Sequence, residues 1–283
     1  MPLTKLQFNP GLNREVTSYS NEGGWVDCDK IRFRLGYPEK IGGWQKYSSS
    51  TYLGSARSLH NWIALDGSNY LGVGTHLKYY IEEGGAFNDI TPIRSTTSAG
   101  DVTFSATDGS ATITVTDTSH GANENDFVTF SGAVSLGGNI TADVLNANYQ
   151  IVSVPDADTY TFVASATANS SDTGNGGASV VGAYEVNVGL DTTVGGTGWG
   201  AGTWGRGTWG SSSGVTTTAE LRLWSHDNFG EDLIINPRDS GLYYWDKSNG
   251  LGTRAVELST RSGTPTSVPQ LAKQVLVSDQ DRH

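Results

Sequence analysis

The sequence predicts an all-β chain, with partial β-propeller-like repeats and an inserted immunoglobulin-like β-sandwich. Three observations carry this. The 283 residues include 37 glycines and only 17% charged residues. Helical chains instead display faces rich in Lys and Glu, and glycine scattered among Thr and Ser marks short strands joined by turns. Several stretches alternate apolar and polar residues with period two, as in Ala111-Thr112-Ile113-Thr114-Val115-Thr116, so that one face is buried and the other wet. Finally, a unit of roughly 35–45 residues with aromatic markers occurs twice, as in repeat architectures. An aromatic fraction of 10% argues against disorder, and the length suffices for one large or two ordinary domains.

Charge divides the chain. Residues 95–188 are 94 residues without Lys, Arg or Trp, and they hold ten acids: Asp101, Asp108, Asp117, Glu124, Asp126, Asp143, Asp156, Asp158, Asp172 and Glu185. The other 189 residues carry 19 acids against 18 bases. One folded unit seldom changes composition so abruptly, so four regions are expected. Residues 1–50 form an N-terminal arm with the first strands, and 51–94 form propeller-like blade structure. Residues 95–188 form the inserted acidic sandwich. Residues 189–283 hold a Gly/Trp loop and further blade structure, incomplete at its end.

Within the insertion, strands are predicted at 102–106, 111–116, 127–130, 149–154, 160–164 and 178–188. Asp108-Gly109 and Pro155-Asp156-Ala157-Asp158 supply turns between them. Six or seven short strands in about 90 residues fit an immunoglobulin-like sandwich lacking its disulfide.

The flanks repeat. Trp62 is followed nine residues later by Leu71-Gly72-Val73-Gly74 and then Leu77-Lys78-Tyr79-Tyr80. Trp224 is followed nine residues later by Leu233-Ile234-Ile235-Asn236 and then Leu242-Tyr243-Tyr244-Trp245. Each copy ends in a further β-like stretch, 87–90 and 254–258. Gln274-Val275-Leu276-Val277 resembles the opening strand of a third copy. A propeller closes with about four to eight blades, and the flanks leave room for about three. Further blades are therefore expected from chain beyond His283 or from elsewhere.

A net charge of −11 argues against a general nucleic-acid binder. Cys28 is the only cysteine, so no intrachain disulfide framework exists. The opening residues lack the apolar core of a signal peptide, and no apolar run approaches the ~20 residues of a spanning helix. Synthesis in a reducing cytoplasm is the expectation.

Two motifs are candidate interfaces. Arg32, Arg34 and Lys40 alternate with Ile31, Phe33 and Leu35, which on a strand would gather the bases on one face. That face is either simply solvated or set against an acidic neighbouring subunit. Trp199, Trp204 and Trp209 stand five residues apart among glycines. Such exposed indoles would be an aggregation hazard, so a cover is expected. The protein's own sheet, a subunit interface or a host surface glycan could supply it.

No catalytic, cofactor or metal site is predicted. His60, His76, His120, His226 and His283 lie far apart in sequence without metal-ligand spacing and read as surface or core-edge residues. Asp156-Ala157-Asp158 could hold Ca²⁺ but reads first as a turn. No nucleophile elbow, phosphate loop or zinc-protease motif occurs, and nothing selects a carboxylate pair for glycoside hydrolysis.

Asn9-Pro10-Gly11-Leu12-Asn13, Gly23-Gly24-Trp25-Val26-Asp27-Cys28-Asp29 and the run IRFRLGYPEKIGGW from Ile31 to Trp44 resemble the N-terminus of tail-nozzle or tail-tube proteins of short-tailed bacteriophages. The segments around Trp62 and from Leu221 to Asp246 resemble blades of the same family. The likeness covers roughly residues 1–94 and 189–283. It implies a virion structural protein without enzymatic activity: a homo-oligomeric ring at the distal end of the tail, meeting adaptor and fibre proteins. Its central channel would conduct or gate the genome, in transient contact with DNA. The alternative is a receptor-binding tail module that recognises host glycan. A polysaccharide-degrading propeller enzyme is the weakest of the three readings.

Overall fold

The computed structural model describes residues 9–43, 45–189, 221–261, 263 and 267–278. The chain divides into two units, Met1–Ser49 and Ser50–His283. Strands dominate the described residues; the one α-helix among them has four residues. The all-β prediction therefore holds.

In the first unit, β1 (Ile31–Arg34) and β2 (Tyr37–Lys40) form an antiparallel hairpin. Its two turn residues, Leu35 and Gly36, have φ of 49° and 83°. Positive φ at both central positions is the pattern of a type I′ turn, whose twist matches the flanking strands. Ile31 and Phe33 are half-buried, and the Phe33 ring meets Trp25 edge-on with centroids 6.0 Å apart. Among the described residues of this unit only Ser48 is buried.

The second unit begins with a four-stranded antiparallel meander: β3 (Ala56–Ile63), β4 (Asn69–Thr75), β5 (Tyr79–Glu83) and β6 (Ala86–Asp89). A later meander has the same order: β15 (Trp224–Phe229), β16 (Asp232–Pro237), β17 (Tyr243–Trp245) and β18 (Val256–Glu257). The two sheets share one core of Trp62, Tyr70, Tyr79 and Ile81 against Trp224, Leu233, Ile235, Tyr243 and Trp245. Tyr79 meets Trp224 edge-on at 5.1 Å, and Trp62 meets Trp245 at 6.4 Å.

The glycines of Leu71-Gly72-Val73-Gly74 make that stacking close. Gly74 pairs with Tyr79 across the sheet, so both face the core. A Cβ on Gly74 would lie 2.5 Å from Cδ1 of Trp224. The missing side chain is the space the indole occupies, and a glycine inside a strand often marks such a close approach.

Between the meanders runs an eight-stranded antiparallel sheet. It is built from β7 (Ile93–Thr96), β8 (Thr103–Ala106), β9 (Thr112–Thr116), β10 (Phe127–Ser131), β11 (Asn148–Ser153), β12 (Thr159–Val163), β13 (Asp172–Asn175) and β14 (Val181–Glu185). The strand order is β13-β8-β9-β12-β11-β10-β14-β7. Strands β8 and β10 stand four places apart in this order, yet Phe104 and Phe130 meet edge-on at 4.9 Å. The sheet is therefore folded over on itself around a core of Val102, Phe104, Ile113, Val115, Phe130, Ile151, Tyr160 and Phe162. Seven of these strands, β8 to β14, lie within residues 95–188, in line with the six or seven expected, and β7 straddles its start. A short helix, α1 (Ala142–Leu145), adds Leu145 to the core, its first turn capped by the Thr141 hydroxyl.

Strands β7 and β14 pair, with Thr96 opposite Ala183 and Ser95 opposite Tyr184. The chain thus enters and leaves the eight-stranded sheet on neighbouring strands. Residues 185 and 186, just inside the expected boundary at 188, already meet the meanders. Val186 belongs to the core between the meanders, and Glu185 faces their charged side chains.

Two expectations about the repeat need correction. Trp62 sits opposite Tyr70, next to its hairpin turn, whereas Trp224 sits opposite Pro237, at the far end of its hairpin. The indoles enter the shared core from opposite ends and are not equivalent; the tyrosine pairs Tyr79-Tyr80 and Tyr243-Tyr244 are, on the third strand of each meander. Residues 274–277 form no strand. The Val275 and Val277 amides donate to the Ser225 hydroxyl and the Asp227 carboxylate, so side chains rather than a strand ladder hold them.

Candidate functional site

The β1–β2 register decides how the basic residues group. Arg32 lies opposite Glu39, and Arg34 lies opposite Tyr37. These four share a face, because directly opposed residues in an antiparallel pair point the same way. Lys40 lies opposite Ile31 and therefore on the other face, with Phe33 and Pro38. The predicted single basic face is corrected to two arginines. Alternation counted along one strand does not carry across a two-residue turn. Arg32 is bound to Glu39 at 3.0 Å, which leaves Arg34 as the arginine of that face without an ion pair among the described residues. Trp199, Trp204 and Trp209 lie outside the described residues.

The histidines are closer than their spacing suggested. His60 on β3 and His226 on β15 face each other between the meanders, with ring centroids 5.1 Å apart. Tyr79 Oη and His226 Nδ1 are 2.7 Å apart, and His60 Nε2 lies 3.3 Å from Asn228 Oδ1. Burial, reinforced by the His60 charge, pushes His226 down to about 4. This holds the imidazole neutral at ordinary pH. Residues so far apart in sequence give no spacing signal for such a pair.

Sequence reasoning also missed a buried ionic junction where the three sheets meet. Lys78 Nζ donates to Asp89 Oδ2 at 2.7 Å, Glu185 Oε1 at 2.9 Å and Asn148 Oδ1 at 3.0 Å. It also stands 4.3 Å from the centre of the Phe127 ring. Arg254 reaches Asp89 at 2.5 Å and Glu185 at 3.0 Å. The Lys78 and Glu185 side chains are only 3% and 1% exposed. Burial pushes the Glu185 carboxyl up, and Lys78 and Arg254 oppose that rise. Two cations face two carboxylates, so the junction is neutral, and it ties β14 to both meanders. A signal existed: Glu185 follows Ala183-Tyr184 in an apolar strand within a stretch that has no base of its own. Its partners had to come from outside.

At one end of the eight-stranded sheet is a recess of about 370 Å³, lined by Ser119, His120, Gly121, Ala122, Val154, Asp156 and Ala157. His120 is buried beneath it, packed edge-on against Tyr160 with centroids 4.9 Å apart. Tyr160 Oη and Tyr184 Oη are 2.9 Å apart, and Tyr184 donates to Asp117 Oδ2 at 2.5 Å. Burial raises the pKa of both tyrosines. Asp156 accepts the Asp158 amide at 2.9 Å, and Asp158 accepts the Ser119 amide at 2.8 Å. These two carboxylates therefore brace turns. Among the described residues no group of three or more His, Cys, Asp or Glu gathers in a metal-binding arrangement.

No family model matches the sequence, and no curated protein matches it. Among solved structures, the phage phi92 endosialidase aligns at 14% identity over 78% of this chain and 32% of that one, with a TM-score of 0.26. The chain thus spans about a third of that protein's length. At this level of superposition the alignment carries no argument about activity.

Proposed function

We propose that this chain is a virion structural protein of a bacteriophage tail. In this reading it is a nozzle- or tube-type component that assembles with its own copies into a ring around the genome path. The stacked pair of four-stranded meanders carries the proposal. Each has the strand order of a propeller blade, and propellers are built by stacking such sheets face to face. The outer face of the first meander still presents Leu59 and Ile63 to solvent. That is what a blade awaiting a further neighbour would offer.

The resemblance of residues 31–44 and 221–246 to tail-nozzle proteins supports the same reading. The buried polar chemistry agrees with assembly rather than turnover. Lys78, Asp89, Glu185 and Arg254 neutralise one another at a joint between sheets, and the acidic turns are spent on their own backbone. The eight-stranded unit then decorates the ring as an immunoglobulin-like insertion.

Labelling of intact virions tests this. Antibody or gold directed to the chain is expected at the distal end of the tail, on its axis, in several copies. Label on laterally projecting fibres would favour the receptor-binding reading, and absence from virions would overturn the proposal. Purified protein is expected to leave polysaccharides, esters and phosphoesters intact. Turnover abolished by replacing a specific pair of aspartates would make it an enzyme instead.

A further inference from the structure

Leu35 breaks a local rule. The first position of a two-residue turn with positive φ favours Asn, Asp or Gly. A left-handed backbone crowds the Cβ of any residue but glycine against the following carbonyl oxygen. Leu35 holds the φ of 49° that the hairpin requires, but its side chain is 92% exposed and packs against nothing there. Tyr37 beside it is 76% exposed. A residue type that breaks the local rule without packing in return is a candidate for contact with something else. Of the hairpin's bases, Lys30 stands 3.7 Å from Asp29, Arg32 is bound to Glu39 and Lys40 faces the other side, which leaves Arg34 at the tip. The tip is a bare leucine, a tyrosine and an arginine without an ion pair among the described residues. Tyrosine and arginine are side chains over-represented among strong contacts at protein interfaces.

The recess has the opposite character. Its walls are Gly121, Ala122, Val154 and Ala157, with the acid Asp156 among them. The exposed acids Glu124 and Asp158 lie in the same two loops, so three acids stand against one base, Arg94, which donates to the His120 carbonyl at 3.1 Å. Hydrogen bonds from Asp158 and Thr159 hold the Asp156 carboxyl below its ordinary value, so it is ionised at neutral pH. Small apolar walls and a negative surround fit an aliphatic side chain flanked by arginine. They disfavour anionic ligands and nucleic acid.

We propose that the β1–β2 hairpin tip of one copy docks in this recess of a second copy. Leu35 enters the apolar pocket and Arg34 pairs with Asp156 or its acidic neighbours. The proposal rests on the homo-oligomeric reading above and deepens it by naming two surfaces that meet. Knob and hole are different surfaces, so the contact is head-to-tail, the class that generates rings when the rotation closes.

Sedimentation of the full chain across a concentration series tests the contact. The wild-type chain is expected to self-associate. Leu35→Asn suits the turn and should leave the hairpin intact, yet weaken association about tenfold or more. Arg34→Glu and Asp156→Lys should each weaken it comparably, and their combination should restore it. In a Cys28→Ser background, chains carrying Leu35→Cys mixed with chains carrying Ala157→Cys should form disulfide-linked pairs.

Wild-type chain that stays monomeric at every concentration overturns the proposal. So does a cross-link that forms only within single chains carrying both cysteines. Association indifferent to Leu35→Asn overturns this docking while leaving the ring reading in place. Virion label away from the tail axis counts against the ring reading alone.

Discussion

Lys78→Met removes one cation from a junction that is neutral only because it has two. The wild-type site sets Lys78 and Arg254 against Asp89 and Glu185; the variant leaves a net negative charge where Glu185 is 1% exposed. Two contacts of 2.7 and 2.9 Å are lost. At an effective dielectric of about 20, each is worth roughly 6 kcal/mol of attraction before desolvation. Relief of the Lys78–Arg254 repulsion and of the cost of burying an ammonium offsets most of that. Breaking a buried pair by removing one partner typically costs about 3–5 kcal/mol. Arg254 still reaches Glu185 at 3.0 Å, so a loss near the lower end, about 3 kcal/mol, is expected.

Equilibrium urea unfolding, followed by near-ultraviolet circular dichroism, reads this directly. The double variant Lys78→Met, Glu185→Leu restores neutrality and should recover to within about 1–1.5 kcal/mol of the wild type, because apolar replacement of a buried pair is often close to neutral. A single-variant loss below about 1 kcal/mol, or a double variant no better than the single one, would refute the claim that charge balance governs this joint.

Three further outcomes are expected. Excising residues 97–182 and joining Thr96 to Ala183 through a two-residue turn should leave the meanders folded. Excising 95–188 removes Glu185 and Val186 and should lower the melting temperature by several degrees more; equal melting of the two would refute the claim that these two residues hold the meanders together. Gly74→Val drives a side chain into the Trp224 indole and should cost about 1–3 kcal/mol in urea unfolding; an unchanged midpoint would mean that the sheets do not stack so closely. His226 is held at about 4 in the folded chain against 6.5 when free. Its contribution is therefore complete above pH 6.5 and lost as the pH falls toward 4. Because the ring is partly exposed, about 1–2 kcal/mol is expected. The stability difference between pH 7 and 4.5 should shrink in His226→Gln, and an equal difference in both chains would exclude this residue as its source.

The parts of the fold that were legible are those written in short-range periodicity. The Thr-interleaved stretch at 111–116 became β9, and the apolar runs near 102, 127, 149 and 160 became β8, β10, β11 and β12. Strand β13 reads Asp-Thr-Gly-Asn and has no apolar period to detect; it exists because β8 offers it an edge. Helix α1 was missed because four residues are too few for helical periodicity, although Thr141 before Ala-Asp-Val is an N-cap signal. The site was far less legible. Lys40 changed faces because a turn resets alternation, and Lys78, Glu185 and Arg254 meet from positions more than sixty residues apart, where spacing carries no information.

The distribution of charge explains how the eight-stranded unit can be attached specifically. Its three buried acids are satisfied in two different ways. Asp117 accepts the Tyr184 hydroxyl, and Asp126 accepts the amides of Asn123 and Val188. These neutral donors all lie within residues 95–188, although Asp126 also lies within reach of the Arg222 charge. Glu185 alone is met by Lys78 and Arg254, which belong to the two meanders. A stretch without bases cannot neutralise that carboxylate internally. Leaving it buried and unpaired would cost several kcal/mol. Docking the eight-stranded sheet in the one orientation that brings Glu185 to both cations removes the penalty, and a rotated or detached sheet restores it. Apolar contacts such as Val186 supply the attraction, but they are tolerant of direction. The buried carboxylate is not, so it selects the orientation of this joint.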